Sequence, residues 1–210
     1  MSSITIIGAG NMARGIATRA LAGGHVVQVL ARDTAKAATL AADLSGTVTS
    51  GSIDETISGD VVVLALPYGA ALSTAADLRD ALTSKIVVDI TNPVDFTTFD
   101  AMVTPDNSSG AQEVAKVIPA ARVVKAFNTV FAGTLVAGEV AGTKLDVFVA
   151  GDDADAKAVV SAFINSSGMR ALDAGPLKRA HQIEGIGFLH MAMQASLGNT
   201  WSTAIKVLGA

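Results

Sequence analysis

Residues 4–30 constrain this chain more than any other stretch. An apolar strand, Ile4 to Ile7, runs into Gly8-Ala9-Gly10-Asn11-Met12-Ala13. A helical segment, Asn11 to Leu21, follows, and a second apolar strand spans Val26 to Leu30. A strand, a glycine loop, a helix and a second strand at this spacing form half of a dinucleotide fold. Gly8 permits the tight turn and Gly10 lets the backbone approach a pyrophosphate. Ala13 is the third small residue and lets the helix pack on the strand. The free N–H groups at the helix start suit phosphate oxygens.

The end of the second strand bears on which dinucleotide is bound. An NAD site places Asp or Glu there for the ribose 2′-OH, whereas this chain reads Leu30-Ala31-Arg32, with Lys36 one turn into the next helix. A basic pair without a carboxylate suits a 2′-phosphate, which arginine can grip with two donors. The competing readings are that Arg32 and Lys36 are solvated surface charges, and that Asp33 is a displaced ribose acid. Asp33 sits in the Arg32-Asp33-Thr34 turn before an Ala-rich helix, which favours an N-cap. NADP(H) is therefore favoured over NAD.

Strand and helix patterns alternate along the rest of the chain. Strands are expected at 47–49, 60–66, 86–90, 122–127, 145–150 and 170–173. Helices are expected at 39–44, 70–82, 109–117 and 154–166, with a loop or short helix through Leu135. Ile86 to Ile90 is unbroken Val/Ile/Asp and reads as buried on both faces. The fold class expected is α/β: a Rossmann-like, doubly wound, mostly parallel sheet with a short C-terminal helical segment. Residues 1–210 read as a single NADP-binding domain, in which helices over 177–208 close the core or build a dimer interface.

Function in such a sheet sits beyond the carboxyl ends of the strands. Those ends read Gly8-Ala9-Gly10, Ala31-Arg32, Leu66-Pro67-Tyr68, Thr91-Asn92-Pro93 and Phe127-Asn128-Thr129. Leu66 and Pro67 form an apolar wall for a ribose and nicotinamide. Asn92 and Asn128 are amides that either bind a carboxamide or second ligand, or merely shape a turn and cap a loop.

Composition excludes several classes. Half of the 210 residues are hydrophobic, 16% are charged, and net charge is −4 without a basic run. Nucleic acid is not an expected partner. No apolar run approaches the roughly 20 residues that a membrane helix needs, and no leader peptide is expected, so a cytoplasmic location is. Without cysteine there is no thiol chemistry, and His25, His181 and His190 are too scattered for a metal site. No catalytic acid–base set stands out. Tyr68 and His181 are the candidate proton donors, each with a plain alternative as a packing or surface residue.

The chain resembles the family of NADPH-dependent oxidoreductases named for coenzyme F420, the deazaflavin. The residues that carry the likeness are Gly8-Ala9-Gly10-Asn11-Met12, Gly24-His25, Ala31-Arg32 with Lys36, Ala65-Leu66-Pro67 and Val87-Val88-Asp89-Ile90-Thr91-Asn92-Pro93. Val124-Lys125-Ala126-Phe127-Asn128-Thr129, Val149-Ala150-Gly151-Asp152-Asp153 and Leu172-Asp173-Ala174-Gly175-Pro176-Leu177 complete the set. The resemblance implies a Rossmann-like domain with a small helical C-terminal part, usually a homodimer, and hydride exchange between NADPH and a stacked deazaflavin or flavin. It places Ala9 to Met12 on the pyrophosphate and Arg32 and Lys36 on the 2′-phosphate, with Leu66, Ala70 and Ala132 bordering ribose and nicotinamide. The family often has Ser where this chain has Ala31, which removes one phosphate hydrogen bond. The Asp-Ile-Thr-Asn-Pro and Phe-Asn-Thr motifs lean toward a broader branch that includes the NADPH domain of membrane metalloreductases. Two alternatives stay open: a reductase of a small carbonyl, imine or metal-chelate substrate, and a non-catalytic NADP(H)-binding module.

Overall fold

The computed structural model describes residues 2–209. Its centre is an eight-stranded sheet in the order β3-β2-β1-β4-β5-β6-β9-β10. The strands are β1 (Ser3–Ile7), β2 (Val26–Ala31), β3 (Val48–Ser52), β4 (Val61–Leu64), β5 (Ile86–Asp89), β6 (Arg122–Lys125), β9 (Asp146–Gly151) and β10 (Arg170–Gly175). The helices are α1 (Asn11–Ala22), α2 (Thr34–Ala42), α3 (Tyr68–Asp77), α4 (Gly110–Val117), α5 (Ala132–Ala137), α6 (Ala154–Ser166) and α7 (Ala180–Ala192).

The first six strands run parallel, in register Ile4 to Val27, Ile4 to Val61 and Val87 to Val123. Because β1 lies between β2 and β4, the strand order reverses beside the glycine loop, where a parallel sheet opens a crevice. Period-two alternation sends β4 to both sides. Val61 and Val63 join the core under α1, α2, α5 and α6, while Val62 and Leu64 join the core under α3 and α4. All four are buried, which is why the segment reads as an unbroken apolar run.

The structure departs from the sequence expectations in three places. β9 pairs antiparallel with β6 and carries β10 with it, so the last two strands run opposite to the rest. A two-residue-per-strand hairpin, β7 (Glu139–Val140) and β8 (Thr143–Lys144), turns at Ala141 and Gly142 and supplies the reversal. The expected helices over 177–208 stop at Ala195. Gly198, Asn199 and Trp201 adopt left-handed φ of 80°, 54° and 51°, which ends helical propagation, and 200–209 continues without helix. Among the described residues no helix is long and apolar enough to cross a membrane.

One buried ionic cluster joins the sheet to α7. Lys125, at the end of β6, is fully buried, with Nζ 2.6 Å from Asp89 on β5 and 2.7 Å from Glu184 on α7. It also donates to the Thr91 carbonyl. Glu184 in turn accepts from the backbone N–H groups of Gly110 (3.0 Å) and Ala111 (3.3 Å) at the start of α4. Removing the cation strands two buried carboxylates. Lys125→Met should cost about 3–5 kcal/mol in urea unfolding, whereas adding Glu184→Gln to that variant should recover part of the loss. A loss below about 1 kcal/mol would contradict this placement.

Candidate functional site

The crevice begins at Gly8. Its φ is +121°, and a Cβ there would lie 2.3 Å from the Ala65 carbonyl oxygen, so the β1 and β4 ends approach this closely only with glycine. Gly10 precedes α1 with open space where its Cβ would stand, and no side chain caps the helix start. The first N–H groups of α1 therefore face the crevice unclaimed by side chains. Ala13 is fully buried beneath them.

Three cavities run in sequence along this edge of the sheet. The first, about 290 Å³, has Gly8, Ala9, Gly10, Ala31, Arg32 and Lys36 in its walls, with Asp33 and Leu66. Asp33 N-caps α2, accepting from the Lys36 N–H at 3.1 Å, and Lys36 Nζ lies 3.4 Å from its carboxylate. The Lys36 N–H is the main cause that holds the Asp33 carboxyl below its ordinary range. The N-cap reading of Asp33 thus holds. Arg32 is exposed and has no hydrogen-bond or ion-pair partner among the described residues.

The second cavity, about 350 Å³, shares Gly10 and Leu66 with the first and adds Pro67, Tyr68, Thr91, Asn92 and Phe96. The third, about 390 Å³, shares Asn11, Met12, Ile90, Asn92 and Met191 with the second. Its far side is Asn128, Phe131, Ala132 and Trp201. All but one of the cofactor-binding positions expected from the sequence therefore meet in a single trough. The exception is Ala70, half-buried on α3 and in none of the three walls.

The two amides donate to each other and to α7. Asn92 Nδ2 donates to the Asn128 carbonyl at 2.8 Å. Asn128 Nδ2 donates to Asn92 Oδ1 at 2.9 Å and to the Ile183 carbonyl at 3.1 Å. They tie the ends of β5 and β6 to α7 while lining the third cavity. Gly187 makes this fit possible, since a Cβ there would lie 2.5 Å from Asn92 Oδ1.

The candidate proton donors separate. Tyr68 lines the second cavity, and burial, followed by the charges of Glu113, Glu184 and Asp89, raises its phenol so that it stays protonated. His181 instead bonds the Ser108 carbonyl at 2.8 Å and lines none of the three cavities. Phe127 is fully buried against Phe163, so it does not obstruct the trough, while Phe131 forms wall rather than plug. His25 is buried and bonded to Ser166 at 2.8 Å, a structural role. Among the described residues no group of three His, Cys, Asp or Glu is placed to hold a metal.

Sequence reasoning missed Met191, Trp201 and Phe96, which reach the trough through α7, the tail and the loop after β5. For Met191 and Trp201 the only sequence signal was the apolar character of the C-terminal segment beyond what one helix face needs, and Phe96 in its polar loop carried none.

Comparison with known proteins gives concordant findings. Residues 3–93 match the family model described as NADP oxidoreductase, coenzyme F420-dependent. The chain is 31% identical to the F420-dependent NADP reductase of Methanothermobacter thermautotrophicus, over 89% of this chain and 86% of that protein. It is 32% identical to the metalloreductase STEAP3 of Rattus norvegicus over 87% of this chain, and spans only 36% of that longer protein. A solved structure from Arthrobacter sp. FB24, a candidate F420-dependent NADP-reductase, superposes with a TM-score of 0.87 at 26% identity, covering 99% of both chains.

His190 lies behind Phe131 and yields a pH prediction. Its Nδ1 lies 3.2 Å from the Thr129 carbonyl and its Nε2 2.8 Å from the Thr203 hydroxyl, partners that suit a neutral ring donating from Nδ1 and accepting at Nε2. Burial, the larger cause, pushes its pKa below the ordinary 6.5, with Thr129 opposing. The unfolded chain therefore binds a proton first as pH falls, and the folded protein loses stability from about pH 7 downward. The melting temperature should decline between pH 7 and 5.5, and less steeply in His190→Asn. An equal slope in the variant would contradict the assignment.

Proposed function

Because this chain belongs to the coenzyme F420-dependent NADP oxidoreductase family, we propose that it moves a hydride between NADPH and a stacked deazaflavin or flavin. The observation that carries this reading is the trough itself. It leads from a basic end at Arg32 and Lys36, past the uncapped start of α1, to two largely apolar cavities that share one partition.

The residues present fit the dinucleotide. The space before Gly10 and the open N–H groups of α1 suit a pyrophosphate, and the unpartnered guanidinium of Arg32 suits a 2′-phosphate. Leu66 and Pro67 provide the apolar wall for the nicotinamide half. When bound, NADPH supplies two electrons and one hydrogen as hydride, leaving NADP+, while the acceptor takes its second hydrogen as a proton from solvent.

Met12, Ile90 and Met191 keep water from the partition where two rings would meet, and Asn92 with Asn128 fixes its floor. No side chain there is required to titrate, since hydride transfer between stacked rings depends on approach and orientation. We further propose that residues 1–210 act as one NADP-binding unit and pair with a second copy. Exposed Leu189, Met193 and Leu197 on and after α7 support that pairing.

Tyr68 is the one observation that favours a second reading, a reductase of a small carbonyl, imine or metal chelate. A phenol in the second cavity can donate a proton to a reduced heteroatom, although its raised pKa makes it a weak acid.

The test is NADPH oxidation with the deazaflavin, FMN, FAD, a ferric chelate and no acceptor in parallel. Turnover with the deazaflavin or a flavin is expected, and tight NADPH binding without turnover on any of them would overturn the reading. Arg32→Glu should weaken NADPH roughly ten- to a hundredfold, the scale of one charge-assisted phosphate contact. NADH affinity should barely change, and an equal loss for both would sink the 2′-phosphate role.

A further inference from the structure

The non-helical tail after α7 is built to hold one aromatic side chain at the trough. Gly198, Asn199 and Trp201 are left-handed, a conformation that costs a bulky residue like tryptophan energy and persists only when its surroundings impose it. Two polar clamps impose it here. Thr203 bonds His190 Nε2 at 2.8 Å and accepts from Gln194 Nε2 at 2.9 Å. Farther along, Lys206 and the Val207 N–H engage the buried carboxylate of Asp146, which Arg170 also holds at 2.6 Å. Burial opposes that carboxylate, but the bonds from Arg170, Lys206 and Val207 outweigh it and hold its pKa far below the usual range.

Neither clamp uses the indole. Trp201 is 43% exposed, and its ring nitrogen has no hydrogen-bond partner among the described residues. Its ring stands edge-on to Phe131 at 5.1 Å and 75°, and Phe131 lies stacked on His190 at 4.3 Å. Trp201 therefore stands in the wall of the third cavity, which Met12 and Ile90 also line.

We propose that Trp201 is the platform on which the acceptor's planar ring stacks, so that the tail determines which acceptors this protein uses. The inference rests on the hydride-transfer reading above and names the residue that selects its second substrate. A cavity lined by a half-exposed indole together with Met12, Ile90 and Met191 suits a flat, multi-ring heterocycle better than a small carbonyl or a compact chelate. With the indole braced against Phe131 in the same wall, the acceptor ring would meet it without reordering that wall.

Equilibrium binding of the deazaflavin and of FMN to the full chain saturated with NADP+ provides the test, because it requires no turnover. Trp201→Leu should weaken the acceptor about tenfold, the scale of losing one ring-on-ring stack, while Trp201→Phe should stay within a few-fold of the native protein. NADPH affinity should be unchanged in both, which also reports that each variant is folded. Thr203→Val, which loosens the clamp without touching the indole, should weaken the acceptor and not NADPH.

If Trp201→Leu and Trp201→Phe bind the acceptor equally, the side chain only fills space and the platform is overturned while the hydride-transfer reading stands. If the native protein binds neither deazaflavin nor flavin, the broader reading fails and takes this inference with it.

Discussion

A lysine ammonium buried between two carboxylates is the constraint on which the site depends. Taking Lys125, Asp89 and Glu184 out of water costs several kcal/mol per ion, so the arrangement holds only if every polar atom finds a partner. It does. Lys125 meets Asp89, Glu184 and the Thr91 carbonyl, Asp89 accepts from the Thr91 hydroxyl at 3.2 Å, and Glu184 takes two N–H groups from α4. Burial pulls against the ammonium, but the two carboxylates outweigh it and keep Lys125 charged. One cluster thus locks β5, β6, α4 and α7 into a single geometry. That geometry sets where Thr91 and Asn92 leave the sheet, and how Met191 and the tail beyond it come back over the trough.

The parts of this architecture written in local pattern were legible in the sequence. The glycine loop, the strand ends, the Asp33 cap and helix 154–166 follow from spacing and residue type alone. The parts that depend on distant chain segments meeting were not. Lys125 lies inside the expected strand 122–127 with nothing in its neighbours to mark it as buried and paired, and Glu184 sits in a helix with no acidic neighbour to mark it. Asn92 and Asn128 were found as candidates, yet their pairing with each other emerges only when β5 and β6 lie side by side. The reversed direction of β9 escaped because alternation of strand and helix carries no sign for direction. Between β6 and β9 the chain passes through α5 and then the short hairpin β7–β8, and β9 returns antiparallel to β6.

The trough explains how such a chain could work with little acid–base machinery. Charged side chains lie at the Arg32 end and in the buried cluster, while the residues shared by the second and third cavities are Asn11, Met12, Ile90, Asn92 and Met191, all uncharged. An uncharged partition favours a transfer that depends on bringing two rings close together rather than on a titrating side chain. The Tyr68 phenol, held protonated at the side of the second cavity, is the one polar group that a different substrate class would use.

The central claim is direct ring-to-ring hydride transfer across that partition, and isotope transfer tests it most directly. NADPH deuterated separately at each of the two positions of its nicotinamide carbon would be oxidised in the presence of the deazaflavin, and the reduced deazaflavin examined by mass spectrometry. The account predicts that label from one position only is retained on the deazaflavin ring carbon, with a primary isotope effect in single-turnover kinetics. Label lost to solvent, or NADPH oxidation that leaves the deazaflavin unreduced, would contradict it.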